Sequence, residues 1–310
     1  MRRRQFIVTT AAAFVQAAPS SQPQTYVYKK VAGCEIKLDV FAAPGGGLKP
    51  VAIWIHGGAL IFGSRKKSPD SPLVSTLLNA GISVVSIDYR LAPETKLPGI
   101  LEDVRDAFHW IRANAARLGI DPNREVVCGG SAGGYLTLMA GFTLNPRPKA
   151  LVSYWGYGDI VGAWTSRPDP FYLRQAAVTR PEALSVVGKS PVSEAPEEGR
   201  VRFYLYCRQQ GLWPKAVTGR DASIDDPWFL KYCPLRNVTR AYPPTMLVHG
   251  TADTDVPYEQ SKLMADRLVV AGVETELVPV REGAHGISNL TVGEQTRIYQ
   301  AAAGFLLHRL

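Results

Sequence analysis

This sequence predicts a doubly wound, mostly parallel α/β sheet with an inserted cap, and three observations predict it. Short apolar runs recur with continuous rather than alternating hydrophobicity, which suits parallel strands covered on both faces. Amphipathic stretches of helical period lie between them, giving the strand–helix–strand rhythm of such a sheet. From about 160 to 242 the rhythm stops, in a stretch rich in proline, aromatic and charged residues.

The chain opens MRRRQFIVTTAAAFVQAAPSSQPQ, a basic start followed by a weakly apolar stretch from Phe6 to Ala18 and a Pro/Ser/Gln-rich linker. That layout predicts an export signal over residues 1–18 and a folded domain over 19–310, with a periplasmic or extracellular destination. Arg3-Arg4-Gln5-Phe6-Ile7 resembles a twin-arginine signal, although Arg2 stands where Ser or Thr is usual. A cytosolic basic tail is the competing reading. No other stretch approaches the roughly 18 uncharged apolar residues of a membrane span, so none is expected in the mature chain.

Two alternating stretches, Tyr26–Val31 and Glu35–Phe41, flank Ala32-Gly33 and predict an opening hairpin. Strands are then expected in the runs starting at Val51, Ile82, Glu125, Ala150, Thr245 and Glu274. Helices are expected over Leu101–Leu118, Ala132–Leu144, Tyr258–Ala271 and Leu290–Leu307. In the first of these, Leu101, Val104, Phe108, Ile111 and Leu118 recur at helical spacing with charged residues opposite. Within 160–242, FYLRQAA and RVRFYLYCRQQGLW fit amphipathic helices, and the whole region reads as a cap over the sheet edge where ligands bind.

Composition narrows the function classes. With 46% hydrophobic and 20% charged residues, the 310-residue chain can bury a large core. The net charge of +8 includes Arg2, Arg3 and Arg4, and no basic run interleaved with aromatics follows, so nucleic acid is not an expected partner. The four cysteines show no CxxC or CxxH spacing, so no metal site is expected, and no cofactor motif stands out. Cys128 falls in an apolar run as a buried thiol. Cys207 and Cys233 share the cap and could pair after export, although twin-arginine export of folded protein argues against that bond.

Gly129-Gly130-Ser131-Ala132-Gly133 fits G-x-S-x-G between a predicted strand and a predicted helix. A nucleophile on so sharp a turn needs glycines beside it, because side chains there would collide with neighbouring backbone. His56-Gly57-Gly58-Ala59 ends an earlier strand, and its glycines let backbone N–H groups approach a developing oxyanion. Gly57, Gly58 and the N–H of Ala132 are the expected donors; a Gly-Gly turn of purely geometric purpose is the alternative. Of five histidines, His56 supports the glycine loop, His109 lies in a helix, His249 in a strand and His308 at the C-terminal fringe. That leaves His285, between glycines after the last strand, as the base for Ser131. The orienting carboxylate should fall between the two in chain order. Asp253 is preferred over Asp255, which is expected to cap the following turn or helix, while Asp159, Asp225 and Asp226 are poorer choices.

Taken together, HGG at His56, DYRLAPE at Asp88–Glu94, Asp121-Pro122, GGSAGG at Gly129–Gly134, HGTAD at His249–Asp253 and GAHG at Gly283–Gly286 resemble the hormone-sensitive-lipase-like carboxylesterases. The resemblance covers most of 51–140 and 245–307 and leaves the cap unmatched. It implies the α/β-hydrolase fold and ester cleavage through a Ser131–His285–Asp253 triad. HGTAD also resembles the acid-bearing strand end of prolyl-oligopeptidase-like enzymes, which supports Asp253. Two positions depart from the family: Ala59 replaces the third glycine of HGGG, and Gly130 stands where an acidic residue often precedes the nucleophile. A peptidase or amidase on the same triad and a non-catalytic binding protein are the alternative functions. A small-molecule or polymer-linked ester is the expected partner; Trp164, Trp213 and Trp228 would either line its pocket or form cap core.

Overall fold

A computed structural model describes residues 22–67 and 70–310. The expected export signal, residues 1–18, lies outside the described residues. Among them, eight strands form one sheet: β1 (Gln24–Val31), β2 (Cys34–Phe41), β3 (Lys49–Ile55), β4 (Ser83–Ile87), β5 (Ile120–Gly130), β6 (Leu151–Tyr154), β7 (Thr245–Gly250) and β8 (Thr275–Val280). Their order is β1-β2-β4-β3-β5-β6-β7-β8. The opening hairpin pairs antiparallel with itself and with β4, and every pairing from β4 through β8 is parallel.

The central strands are buried on both faces, as their unbroken hydrophobicity requires, and alternate residues serve two separate cores. Ile53, Val85, Val127, Leu151 and Leu247 face one core; Ala52, Val84, Val126, Val152 and Met246 face the other. The first core packs α2 (Leu97–Ala113), α3 (Ala115–Leu118), α4 (Ala132–Thr143) and α10 (Glu259–Val270). The second packs α1 (Pro72–Asn79) against α11 (Val292–Leu307). Helices on both faces make the sheet doubly wound. The long helix expected over 101–118 is instead α2 followed by α3, broken at Asn114. Residues from Ala132 through Gly141 of α4 are buried, so that helix has no polar face to show a period.

Between β6 and β7 the chain is helical among the described residues: α5 (Ala163–Ser166), α6 (Arg180–Ser185), α7 (Glu197–Gln210), α8 (Trp213–Thr218) and α9 (Pro227–Leu230), with 3₁₀ turns at Tyr172–Arg174 and Pro234–Arg236. RVRFYLYCRQQ lies in α7 as expected; FYLRQAA forms only the first of those short turns. Asp169 explains the difference, because its carboxylate accepts from the N–H groups of Phe171 and Tyr172 and holds a turn there. Cys207 and Cys233 are both buried free thiols. No described helix is long and apolar enough to cross a membrane.

The chain runs from β3 outward to β4 and returns to β5 on the other side of β3. That reversal opens a crevice at the C-terminal ends of β3 and β5, where ligands bind in open α/β sheets. Ile55 and Gly130, the last residues of those two strands, lead directly into His56-Gly57-Gly58 and Ser131.

Candidate active site

Ser131 joins β5 to α4 with φ 57° and ψ −120°, a strained conformation for any residue with a side chain. The crossing beneath it leaves no room: a Cβ on Gly133 would stand 1.9 Å from the Ile55 carbonyl oxygen. That close approach of α4 to β3 puts the helix N-terminus behind Ser131.

His285 Nε2 lies 3.1 Å from Ser131 Oγ, and its Nδ1 lies 2.7 Å from Asp253 Oδ2. The tautomer with the proton on Nδ1 satisfies both contacts, leaving Nε2 to accept from the serine hydroxyl. The Asp253 side chain is fully buried, and its Oδ1 accepts from the N–H groups of Asp255 and Val256 at 2.8 and 2.9 Å. Burial opposes its ionisation, but hydrogen bonds from His249 and His285 prevail and hold Asp253 well below the usual carboxylate range. For His285, burial favours the neutral ring; the Asp253 hydrogen bond and the charge of Asp255 outweigh it and raise the pKa above 6.5.

His249 contributes more than strand packing. Its Nε2 lies 3.0 Å from the Val256 carbonyl oxygen and 3.2 Å from Asp253 Oδ2, while Nδ1 accepts from Ser261 Oγ at 2.7 Å. It braces the carboxylate and the turn that carries it. Sequence reading passed it over as a strand residue, though its place four residues before Asp253 was the available signal.

The backbone at Gly57 abuts Ser131, since a Cβ there would fall 2.8 Å from the Gly130 carbonyl oxygen and 3.2 Å from Ser131 Cβ. Among the described residues, the N–H groups of Gly57 and Gly58 make no turn or loop hydrogen bond, and Ala132 is the first residue of α4, where an N–H has no partner within the helix. Ala59 adopts φ 54° without being glycine, and its carbonyl accepts from Trp213 Nε1 at 2.9 Å. An α8 side chain thus holds the turn that a third glycine would otherwise ease. His56 stacks on Tyr89 at 4.3 Å, and Tyr89 donates to the His56 carbonyl at 2.8 Å. Burial pushes the pKa of His56 down to about 4, so it supports the loop as a neutral ring. The other departure, Gly130, is explained by Trp155: a Cβ on Gly130 would meet its Nε1 at 3.0 Å, so the indole occupies that space.

Asp255 does not cap a helix. The N-cap of α10 is Tyr258, with no side-chain hydrogen bond. Instead Asp255 Oδ1 accepts from Tyr172 at 2.8 Å, from the Tyr204 hydroxyl, and from Arg208 Nη1 at 2.6 Å. Its Oδ2 lies 3.4 Å from His285 Nε2. Arg208 is only 2% exposed and also pairs with Asp169 at 2.5 Å. The members of this cluster come from three separate segments, which no local pattern in the sequence links. Of the other carboxylates weighed, Asp226 caps α9 and Asp159 accepts from the Val161 N–H. Among the described residues no group of three or more His, Cys, Asp or Glu could hold a metal ion.

Ser131, Tyr157, Trp164, Tyr204, Arg208 and Asp255 bound a narrow pocket. A wider cleft lies between His56–Ser64 and Glu194–Glu197, but Ser131 does not line it. The narrow pocket is therefore the one in which a bound molecule would meet Ser131.

A family model described as alpha/beta hydrolase fold matches residues 52–289. Esterase LipC of Mycobacterium tuberculosis is 30% identical over 267 residues, covering 84% of this chain and 59% of that protein. The non-reducing polyketide synthase ausA of Emericella nidulans is 28% identical over 316 residues; the match takes in 85% of this chain and 13% of the synthase. The chain thus spans less than two thirds of the length of either relative. An alpha/beta hydrolase superfamily protein from Enterococcus faecalis superposes with a TM-score of 0.73 at 24% identity, covering 93% of this chain and 99% of that one.

Proposed function

Because this chain belongs to the alpha/beta hydrolase family, we propose that it is a carboxylesterase working through an acyl-enzyme on Ser131. The observation that carries the proposal is the unbroken line from Ser131 Oγ through His285 to Asp253, at 3.1 and 2.7 Å. Ser131 attacks the ester carbonyl carbon while His285 Nε2 takes its proton. The resulting oxyanion receives hydrogen bonds from the N–H groups of Gly57, Gly58 and Ala132, each worth on the order of 10²–10³ in rate. The imidazolium then protonates the departing alkoxide, and water repeats the sequence to release the acid. Asp253 fixes the tautomer and stabilises the imidazolium without itself taking the proton.

An ester panel on the wild type and Ser131→Ala tests the reading, and undiminished hydrolysis by the variant would sink it. A fluorophosphonate should label the wild type and fail on His285→Ala. The same geometry could act on an amide, so p-nitrophenyl acetate is compared with a peptide anilide; a clear preference for the anilide would replace esterase with amidase.

A further inference from the structure

We propose that the site selects esters whose alcohol portion carries a hydroxyl next to the ester oxygen, with Asp255 Oδ2 as the acceptor for that hydroxyl. This assignment rests on the carboxylesterase reading and deepens it.

His285 dictates where the leaving group must be. His285 Nε2 has to hand a proton to the departing oxygen, so that oxygen sits about 3 Å from Nε2. Asp255 Oδ2 lies 3.4 Å from the same nitrogen. The carboxylate oxygen therefore lies no more than roughly 6.5 Å from the departing oxygen. A hydroxyl on the neighbouring carbon of the alcohol falls within that span.

Asp255 is held to present one oxygen. Oδ1 is saturated by Tyr172, Tyr204 and Arg208, and Arg208 is itself fixed by Asp169. Oδ2 has no partner among the described residues besides His285. The pocket also holds two donors without partners, the buried Tyr157 hydroxyl and Trp164 Nε1. Buried polar groups cost free energy unless a hydrogen-bond partner satisfies them, and a bound ligand can be that partner. An ammonium could serve only the acceptor and a carboxylate only the donors. A hydroxyl both donates and accepts, and so fits the acceptor and the donors together. Negative charge from Asp253, Asp255 and Asp169 exceeds the positive charge of Arg208, which further disfavours an anionic alcohol portion.

The test compares 2-hydroxyethyl acetate with 2-methoxyethyl acetate and ethyl acetate, with p-nitrophenyl acetate as the control ester. The methyl ether keeps the acceptor and removes the donated proton while adding a methyl group, and ethyl acetate lacks the hydroxyl without that added bulk. The wild type should favour the hydroxyethyl ester over the methoxyethyl ester by at least about tenfold in kcat/KM, the scale of one hydrogen bond to a charged acceptor. Asp255→Asn should shrink that ratio severalfold, and Tyr157→Phe should lower it as well. Reading a ratio cancels effects on folding and on His285 that both esters share. Equal use of the two esters by the wild type, or a preference that survives both variants, overturns the assignment and leaves the esterase reading standing. Hydrolysis of none of the four esters overturns the esterase reading itself.

Discussion

Arg200 Nη2 donates to Glu94 Oε1 at 2.7 Å, and this pair fastens α7 to the DYRLAPE loop. The same guanidinium reaches the carbonyls of Ile61 and Ala92, so it also pins the chain just past the glycine loop. The Glu94 side chain is fully buried, and removing its partner would strand a charge. Arg200→Ala should therefore destabilise the fold by about 3–5 kcal/mol. Adding Glu94→Ala should cost less than the sum of the single changes. Urea denaturation of the four proteins measures both; strict additivity would mean the pair is not coupled.

The two carboxylates flanking His285 set a pH dependence. Burial lowers its pKa, but the Asp253 hydrogen bond and the charges of Asp255 and Asp253 raise it further than Arg208 opposes. A base must be neutral to accept the serine proton, so kcat/KM should rise with pH and reach half its plateau above pH 6.5. Asp255→Asn removes one of the raising charges and should move that limb to lower pH. The raised pKa also gives His285 a stabilising contribution that is complete below 6.5 and fades as pH climbs through the folded-state value. A pH–rate profile of both proteins supplies the check, and an unmoved limb would remove Asp255 from the electrostatics of the base.

Gly133 and Gly130 should differ in their tolerance of alanine. At Gly133 the added carbon meets backbone oxygen at 1.9 Å, and neither β3 nor α4 can yield without dismantling the turn. At Gly130 it meets the Trp155 indole at 3.0 Å, a side chain that can shift. Gly133→Ala should abolish activity and lower stability by more than about 3 kcal/mol, whereas Gly130→Ala should cost roughly 1 kcal/mol. Melting temperatures and esterase rates rank the two.

Thiol reactivity should follow burial. Cys128, Cys207 and Cys233 are buried, and burial pushes their thiols up to about 12, 12 and 11. Cys34 is half-buried at the start of β2. A disulfide reagent should modify Cys34 in the native protein and all four cysteines only after denaturation. Fewer than four reactive thiols in the denatured, unreduced chain would reveal a disulfide.

Much of the sheet was legible because a strand buried on both faces must be apolar throughout, and Val51–Ile55 or Ile82–Ile87 can hardly be read otherwise. The segment between β6 and β7 was less legible. Its helices run four to six residues apart from α7, too short to display a period. FYLRQAA misled because a local carboxylate, Asp169, competes for the backbone N–H groups a helix would need. DYRLAPE was visible as a motif but not as a mechanism. Asp88 takes Arg65, Arg90 takes Asp103 and Glu94 takes Arg200, all partners distant in the chain.

The sequence by itself determined which serine, histidine and aspartate could meet, because a sharp strand–helix turn demands glycines and parallel strands all deliver their ends to one edge. Only the tertiary structure decided what surrounds them: that His249 braces Asp253, that Trp155 fills the space beside Gly130, and that Asp255 faces His285. A carboxylate two residues from the orienting one carries no local mark of its role. Its partners Tyr172, Tyr204 and Arg208 lie 83, 51 and 47 residues away, and only folding brings their charges and hydroxyls to bear on it.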